Sequence, residues 1–376
     1  MWTILFLFIT TVYSLEEEKF IAVTYLNNKT GFEVKMGFGI HAEQTTFILD
    51  QSMNFSSTDR YAYSTQDECS ALDYNVLLYE SELMIKKVYD CEGFFNIGDY
   101  EFLVPKFHFY LSSGTYRQSM WLGLGRNFDN NFSIIDMLYK NNKIGKNMYG
   151  FVPEKNKDRY YGMMYFGEIP KGIKSNKIVG KCKIKNKNIP TWNVNLSSID
   201  INGNEFINTY EAHINCNTYS SFVPIEYFDF LINNIFKDLT DKYRCVQISI
   251  NDDMTFRCSK DILNYPYKVQ FIIDDFVYQI KIEKFFNCDS GKCDFLLMSN
   301  DSTNKKFILG TTFIDNFDMI EFDYALNEIK LYSKDSIVTK EEYDHIRMRL
   351  KNTKIITLIN DFLLLIMIII IKTKQI

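Results

Sequence analysis

The sequence predicts an all-β protein with a few short helices, built from two copies of one β pattern. Short stretches rich in β-branched and aromatic residues dominate, and turn signals separate them. The clearest turn signal is Asn202-Gly203, a pair typical of two-residue hairpins. Examples of predicted strands are 19–26, 32–40, 45–49, 83–89, 192–201, 267–273 and 328–332. Helical patterns are few, at 134–139, 224–236 and 341–350.

The composition allows a large hydrophobic core and excludes several classes of protein. The chain has 376 residues, of which 46% are hydrophobic and 24% are charged. A disordered chain would be less hydrophobic and more highly charged. The 42 Lys and Arg against 47 Asp and Glu leave a net charge of −5. We therefore expect no nucleic-acid partner, because no basic field would attract one.

A lysine-dense segment divides the body of the chain. We predict an N-terminal β lobe over 15–170, an inter-lobe linker over 171–188 and a C-terminal β lobe over 189–334. A solvated linker explains the lysines more simply than an anion-binding site does. The chain length alone suggests about two and a half domains.

The first residues predict a signal peptide over 1–14. An apolar run leads to Val12 and Ser14, which are small enough for the two key positions of a signal-peptidase site. The run is too short to span a bilayer comfortably. We therefore expect the body of the protein to enter the secretory pathway.

The C-terminal region predicts a transmembrane helix over 355–371, between a juxtamembrane segment (335–354) and a cytosolic tail (372–376). Such a helix spans about 25 Å, just under the thickness of a hydrocarbon core. An amphipathic surface helix is disfavoured because residues 362–371 have no polar face. A glycolipid-anchor signal remains the alternative. We expect a single-pass type I membrane protein of the cell surface or an endomembrane lumen.

Eight cysteines in a secretory chain predict disulfide bonds rather than a metal site. Neither Cys-x-x-Cys nor His-Glu-x-x-His is present, and the four histidines are far apart in sequence. We therefore predict no metal and no cofactor. N-glycosylation sequons predict a glycoprotein with surface loops at Asn28, Asn131, Asn195 and Asn300. A further sequon at Asn54 falls where we expect packed structure.

The two halves contain a repeat that would bring Asp50 and Asn215 together. Each half has an apolar strand that ends in a short polar residue, and later an apolar strand that ends in glycine. These strands are 47–50 and 121–125 in the first half, and 212–215 and 307–310 in the second. If the two units face each other, Asp50 and Asn215 meet at a pseudo-two-fold axis on the floor of a cleft.

These segments, in this order, resemble the pepsin-like aspartic endopeptidases (peptidase family A1) over roughly 19–333. Segment 37–50 is similar to the strand pair that leads into the family's first Asp-Thr/Ser-Gly motif. Other similar segments are 121–125, 164–169, 192–203 and 308–323. The resemblance implies a bilobal pepsin-like aspartic protease fold, a cleft that binds an extended peptide or protein segment, and Tyr74 in a flap over that cleft. We expect a monomer.

The chemistry of this family needs two carboxylates about 3 Å apart, which share one proton because both cannot ionise. One acts as base toward a water and the other donates a proton to the scissile carbonyl. The resemblance implies that Asp50 is the first of these catalytic residues. Counting back from Pro224 places Asn215 at the second position. An amide does not titrate near neutral pH, so we expect a degenerate dyad in which Asp50 stays ionised.

Other residues around the predicted site depart from the family pattern. The loop after Asp50 is one residue short and lacks the motif's glycine, and Asn217 replaces the glycine of the second motif. Gln51 and Cys216 stand where the family has hydroxyl residues that bond between the lobes. The resemblance therefore does not predict that network here. In the flap, residues 75–77 replace a Gly-Thr-Gly sequence.

Two other candidate sites are disfavoured. Asp289-Ser290-Gly291 spells a catalytic-looking triplet, but it lies between cysteines and too close to Gly310 for the repeat. We interpret it as a polar turn. Cys216 could be a nucleophile, but His213 lies three residues before it on one strand, so their side chains point to opposite faces.

The resemblance implies a disulfide between Cys258 and Cys293 in the second lobe. A bond between Cys69 and Cys91 would close the flap loop and stabilise the fold by roughly 3 kcal/mol. Four cysteines have no predicted partner: Cys182, Cys216, Cys245 and Cys288.

Three functions agree with the sequence. The first is a membrane-anchored, pepsin-like protein that binds peptides in its cleft and cleaves them poorly or not at all. The second is a working aspartic endopeptidase in which Asp50 has an unusual partner. The third is an adhesive or structural surface protein on the same scaffold.

Overall fold

The structure is a computed structural model that describes most of the chain between residues 19 and 348. The described residues are 19–28, 31–38, 44–52, 56–59, 68–72, 88–97, 100–112, 120–126, 133–154, 161–174, 177–184, 189–201, 203–207, 211–250, 253–299, 307–333, 337–345 and 348. The predicted signal peptide, the predicted transmembrane helix, the predicted cytosolic tail and Tyr74 lie outside these residues. Among the described residues, no helix is long and apolar enough to cross a membrane.

Strands make up most of the described chain. In chain order they are β1 Ile21–Asn28, β2 Gly31–Phe38, β3 Thr45–Asp50, β4 Ser56–Asp59, β5 Glu68–Leu72, β6 Val88–Ile97, β7 Tyr100–Ser112, β8 Met120–Gly123, β9 Met148–Pro153, β10 Tyr161–Phe166, β11 Ile178–Lys183, β12 Asn193–Ile201, β13 Asn204–Ile207, β14 Glu211–Ile214, β15 Ser221–Val223, β16 Val246–Ile250, β17 Asp253–Ser259, β18 Lys268–Ile273, β19 Phe276–Lys281, β20 Phe286–Asp289, β21 Lys292–Phe295, β22 Leu297–Ser299, β23 Phe307–Leu309, β24 Met319–Asp323, β25 Glu328–Ser333 and β26 Ile337–Thr339.

The helices are short. They are α1 Ile134–Lys140, α2 Lys171–Lys174, α3 Ile225–Leu231, α4 Lys237–Tyr243 and α5 Thr311–Ile314, with a π-helical segment Ile232–Phe236 and 3₁₀ segments Lys260–Asn264 and Ile282–Phe285. The hydroxyl of Ser133 caps α1 by accepting from the Asp136 amide at 3.2 Å. Helix α1 matches the predicted helix at 134–139. The second predicted helix is longer than expected, because α4 continues it to Tyr243.

The described strands form two sheets of thirteen strands each. The first has the order β11-β25-β24-β9-β10-β1-β2-β3-β8-β4-β7-β6-β5. Its β24 and β25 come from the last part of the chain, and β24 pairs with β9. The segment predicted as a linker contains α2 and β11, and β11 pairs with β25. Strands from both halves of the sequence therefore share one sheet.

The second sheet contains the other strands of the second half, β12 to β23 and β26. Its order is β20-β21-β17-β22-β15-β23-β14-β12-β18-β19-β26, with β13 on β12 and β16 on β17. The predicted hairpin at Asn202-Gly203 is confirmed, because Ile201 pairs with Asn204 across β12 and β13. Gly203 has a φ of +84°, which a side chain rarely tolerates. The all-β prediction is therefore correct.

A continuous core packs between the sheets. In β3, the buried residues Phe47 and Leu49 alternate with the more exposed Thr46 and Ile48, as expected of a strand with one face on the core. Trp192 is fully buried and packs edge-on against Phe322 at a ring-centroid distance of 5.1 Å. Since Phe322 lies in β24, this contact joins the start of the second sheet to the first.

The disulfide predicted between Cys258 and Cys293 is wrong. Both cysteines are oxidised, but Cys258 bonds to Cys245 and Cys293 bonds to Cys288. The reason is local: the β20–β21 hairpin places Cys288 directly opposite Cys293. Two of the cysteines left without a predicted partner thereby acquire one.

The remaining four cysteines are not part of these two disulfide bonds. Cys182 and Cys216 are unpaired and buried. The backbone register places Cys69 opposite Cys91 across β5 and β6. The predicted bond between them concerns side chains outside the described part of the chain, so it stays a prediction.

Candidate functional site

The first half positions Asp50 with two parallel strands. Strand β3 pairs with β8 so that Asp50 lies opposite Gly123. The Leu124 amide, just past the end of β8, donates to the Asp50 carbonyl at 2.7 Å. Asp50 thus stands where an apolar strand ends, with its backbone held by the neighbouring strand.

The second half positions Asn215 in the same way. Strand β14 pairs in parallel with β23, and Ile214 lies opposite Leu309. The Asn215 amide donates to the Leu309 carbonyl at 3.0 Å, at the point where Gly310 follows. The repeat predicted from the sequence is therefore present as two matching strand pairs.

The structure brings Asp50 and Asn215 into contact. The Asn215 side-chain amide donates from Nδ2 to Asp50 Oδ1 at 3.4 Å. Asp50 is 1% exposed and Asn215 is 4% exposed. Within the described part of the chain, the hydrogen-bond partners of the Asp50 carboxyl group are Ser52, Asn215 and Asn217, and none is a carboxylate.

The remaining contacts of Asp50 are hydrogen bonds from neutral donors. Its Oδ1 accepts from the Ser52 amide at 2.7 Å and from the Ser52 hydroxyl at 2.5 Å. Its Oδ2 accepts from Asn217 Nδ2 at 2.7 Å. Asn217 was noted in the sequence as a replaced glycine, and Ser52 was not singled out. A serine two residues after an aspartate is a local turn signal that could have identified it.

Burial raises the pKa of Asp50 above its ordinary value, although hydrogen bonds from Ser52, Asn217 and Asn215 lower it. The sequence predicted that Asp50 stays ionised, because no second acid lies at position 215. Removal of the carboxyl group from water favours its neutral form without any neighbouring charge, and the sequence did not indicate this effect.

Gln51 and Cys216 connect the two halves behind this pair. The Cys216 amide donates to Gln51 Oε1, and the Cys216 thiol donates to the Leu49 carbonyl at 3.4 Å. The backbone amide of Gln51 donates to Asn215 Oδ1 at 3.3 Å. These residues therefore bond between the halves although neither carries a hydroxyl group. Burial raises the pKa of the Cys216 thiol far above its usual range, which argues against a nucleophilic thiolate.

The other sequence candidates lie away from this centre or outside the description. Asp289, Ser290 and Gly291 form the turn between β20 and β21, with positive φ at Ser290 and Gly291. The predicted polar turn is confirmed. Tyr74 lies outside the described residues. In the described ranges, no group of three or more His, Cys, Asp or Glu side chains could hold a metal ion.

Comparisons with known proteins identify the class. The family model described as eukaryotic aspartyl protease matches residues 116–334. This match covers more than half of the chain, so the chain belongs to the eukaryotic aspartyl protease family. Among curated proteins, none matches the sequence.

Solved structures with the same fold include two proteins of low sequence identity. The aspartic proteinase from Irpex lacteus has 13% identity and a TM-score of 0.61, over 84% of this chain and 98% of that one. The basic 7S globulin from soybean has 14% identity and a TM-score of 0.66, over 85% of this chain and 95% of that one. The structural similarity supports the pepsin-like fold, and at identities this low it shows nothing about activity.

Proposed function

We propose that this protein is a pepsin-like protein that binds extended peptides between its two halves and cleaves them poorly or not at all. The observation that carries the proposal is the group facing Asp50. That group is the amide of Asn215, which donates to Asp50 Oδ1 at 3.4 Å.

Peptide hydrolysis by two acids needs one group that accepts a proton and another that donates one. Asp50 can play one of these roles, because its carboxyl group titrates. Asn215 can orient Asp50 by hydrogen bonding, but an amide does not exchange a proton near neutral pH. General acid–base catalysis contributes about 10²–10⁴-fold per group, so a missing acid removes most of the activity.

The peptide-binding part of the proposal is supported by membership of the family and by the geometry of the scaffold. The two strand pairs are joined by bonds between Gln51, Cys216 and Leu49. A scaffold that keeps these contacts keeps its two halves in fixed relative positions. Because the family's cleft lies between these two halves, we infer that an extended chain can bind there even though the second acid is missing.

The proposed setting is the secretory pathway. The signal peptide and the transmembrane helix predicted from the sequence, together with the glycosylation sequons, support a type I membrane protein at the cell surface or in an endomembrane lumen. The two disulfide bonds of the second half agree with an oxidising compartment.

The test uses the purified full chain in detergent. It is incubated with an unfolded protein at about pH 3 to 6, beside Asp50→Ala as the control. We expect no cleavage above the control. Cleavage that pepstatin blocks and Asp50→Ala abolishes would instead establish a working endopeptidase.

Binding is measured separately by fluorescence anisotropy with labelled peptides from the same unfolded protein. Saturable binding without cleavage is the expected result. If no peptide binds, the adhesive or structural role is favoured over the peptide-binding one.

A further inference from the structure

Most of the acceptor capacity of the Asp50 carboxyl group is used within the protein. Its Oδ1 accepts three donors, two from Ser52 and one from Asn215. Its Oδ2 accepts the amide of Asn217 at 2.7 Å, a short bond for a neutral donor. A carboxylate has about two acceptor positions on each oxygen, so Oδ1 is fully used and the Asn217 side-chain amide takes one of the two positions on Oδ2.

The Asn217 side chain is held toward Asp50 by its own backbone contacts. The backbone amide of Asn217 donates to Asn215 Oδ1 at 3.1 Å. One residue earlier, the carbonyl of Cys216 accepts from the Phe32 amide in β2 at 2.7 Å. Gly31 packs so closely here that a Cβ atom would lie 2.6 Å from the Asn217 carbonyl carbon. The backbone that carries Asn217 is thus fixed by both halves.

The exposures of the two side chains differ. Asp50 is 1% exposed, whereas Asn217 is only partly buried. A water or a ligand donor that approached Asp50 Oδ2 would therefore compete with the Asn217 amide, which is already bonded there.

The geometry points to Asn217 as a blocking residue: its side-chain amide occupies the Asp50 oxygen that a water or a hydroxyl group of a bound peptide would otherwise use. This inference rests on the proposed function, in which Asp50 is the lone acid of a peptide-binding site. It adds that Asn217, besides Asn215, prevents Asp50 from acting on a bound peptide. A bound peptide then gains no binding free energy from a hydrogen bond to Asp50.

The test compares two peptides that differ by one hydroxyl group. One carries a statine-type hydroxyl group at its centre, as pepstatin does, and the other is the same peptide without that group. Wild type is expected to bind both with equal affinity. Asn217→Ala, and likewise Asn217→Gly, is expected to bind the hydroxyl peptide about tenfold more tightly, because a hydrogen bond to Asp50 Oδ2 then becomes available.

Asn233→Ala is the matched control, since the Asn233 amide bonds the Asp229 carbonyl at 2.9 Å rather than Asp50. It should show no preference, like wild type. A wild-type protein that already prefers the hydroxyl peptide tenfold would overturn the inference. So would an Asn217→Ala variant with no preference.

A second measurement separates this inference from the proposed function. If neither wild type nor variants bind either peptide, the peptide-binding function has failed, and the titration of ¹³C-labelled Asp50 decides the role of Asn217. Loss of a donor to the charged carboxylate should raise the pKa of Asp50 in Asn217→Ala above that of wild type. Asn233→Ala should titrate like wild type, and an unchanged Asn217→Ala would overturn the inference.

Discussion

The two halves of this protein position a short polar residue with the same arrangement of strands. In the first, β3 runs parallel to β8, and β4 is antiparallel to β8 and parallel to β7. In the second, β14 runs parallel to β23, and β15 is antiparallel to β23 and parallel to β22. The strand pairings correspond one to one. What differs is the side chain at the end of the first strand, Asp50 in one unit and Asn215 in the other.

This comparison separates the determinants of fold from those of chemistry. The paired strands depend on buried apolar residues such as Leu49 and Ile214, and both units keep them. Asp and Asn have nearly the same size and shape, so either residue fits the end of the strand. A change that is almost neutral for packing therefore removes a titratable group from the centre of the site.

The largest expected effect comes from making the second unit resemble the family motif. Asn215→Asp combined with Asn217→Ala should raise cleavage of an unfolded protein about 10²-fold over wild type, because it supplies the second acid and frees Asp50. Asn215→Asp alone should gain less. Initial rates at about pH 3 to 6 measure both, and adding Asp50→Ala should abolish the gain. A double variant no faster than wild type would show that the difference between the units is not limited to these two side chains.

The second unit also contains a buried acid just beyond its glycine. After α5, Asp315 accepts from Asn27 of β1, and Thr311 donates to Asn27 at 3.2 Å. Burial raises the pKa of Asp315 to about 7. Since the folded chain binds this proton more tightly than the unfolded chain, stability should be greatest below about pH 4 and fall as the pH rises toward 7.

Asp315→Asn should remove that fall, which we expect to be about 2 to 4 kcal/mol in the free energy of unfolding. Urea denaturation at pH 4, 5.5 and 7 measures it. Asp289→Asn, in an exposed turn, is the control and should keep the wild-type pH dependence. An Asp315→Asn variant with the wild-type profile would contradict the assignment of the pH dependence to this contact.

The glycine of the second unit offers a steric test of the strand pairing. A Cβ atom at Gly310 would lie 2.2 Å from the Ser220 carbonyl oxygen and 2.7 Å from that of Thr218. Gly310→Ala should therefore lower the free energy of unfolding by about 2 to 3 kcal/mol. At Gly172 a Cβ atom would meet nothing within 4 Å, so Gly172→Ala should stay within about 0.5 kcal/mol of wild type. Chemical denaturation checks both, and equal effects would mean that this close approach is not required.

The smallest expected effect concerns the bonds between the units. Gln51→Ala leaves the buried Cys216 amide without its acceptor and should cost about 1 to 2 kcal/mol. Cys216→Ala removes only a long thiol bond to the Leu49 carbonyl and should cost less. Thermal unfolding of both variants compares them. The opposite order would show that the contact of Cys216, rather than that of Gln51, holds the halves together.

Much of the fold was predictable because its signals are local. The Asn202-Gly203 turn, α1 and the two apolar strands that end in Asp50 and Asn215 could be read from short stretches of sequence. Each depends on periodicity, a turn residue or a cap within a few positions. The polar turn at Asp289 was identified for the same reason.

The disulfide prediction failed because it paired two distant cysteines, whereas their partners are only 13 and 5 positions away in sequence. Cys258 and Cys293 do lie opposite each other across β17 and β21, yet each bonds to another cysteine. The raised pKa of Asp50 also escaped prediction, because it follows from burial by the whole assembled core. The choice of bond among several close cysteines and the extent of burial both depend on how the whole chain folds.

The sequence by itself determined the two strand units, the positions of Asp50 and Asn215 within them, and the absence of a second acid at position 215, because strand ends and residue identities are local properties. Only the tertiary structure decided that Asn217 reaches Asp50 and that Gln51 and Cys216 bond between the halves. Those contacts join residues about 165 positions apart, and which side chains meet depends on how the two sheets pack.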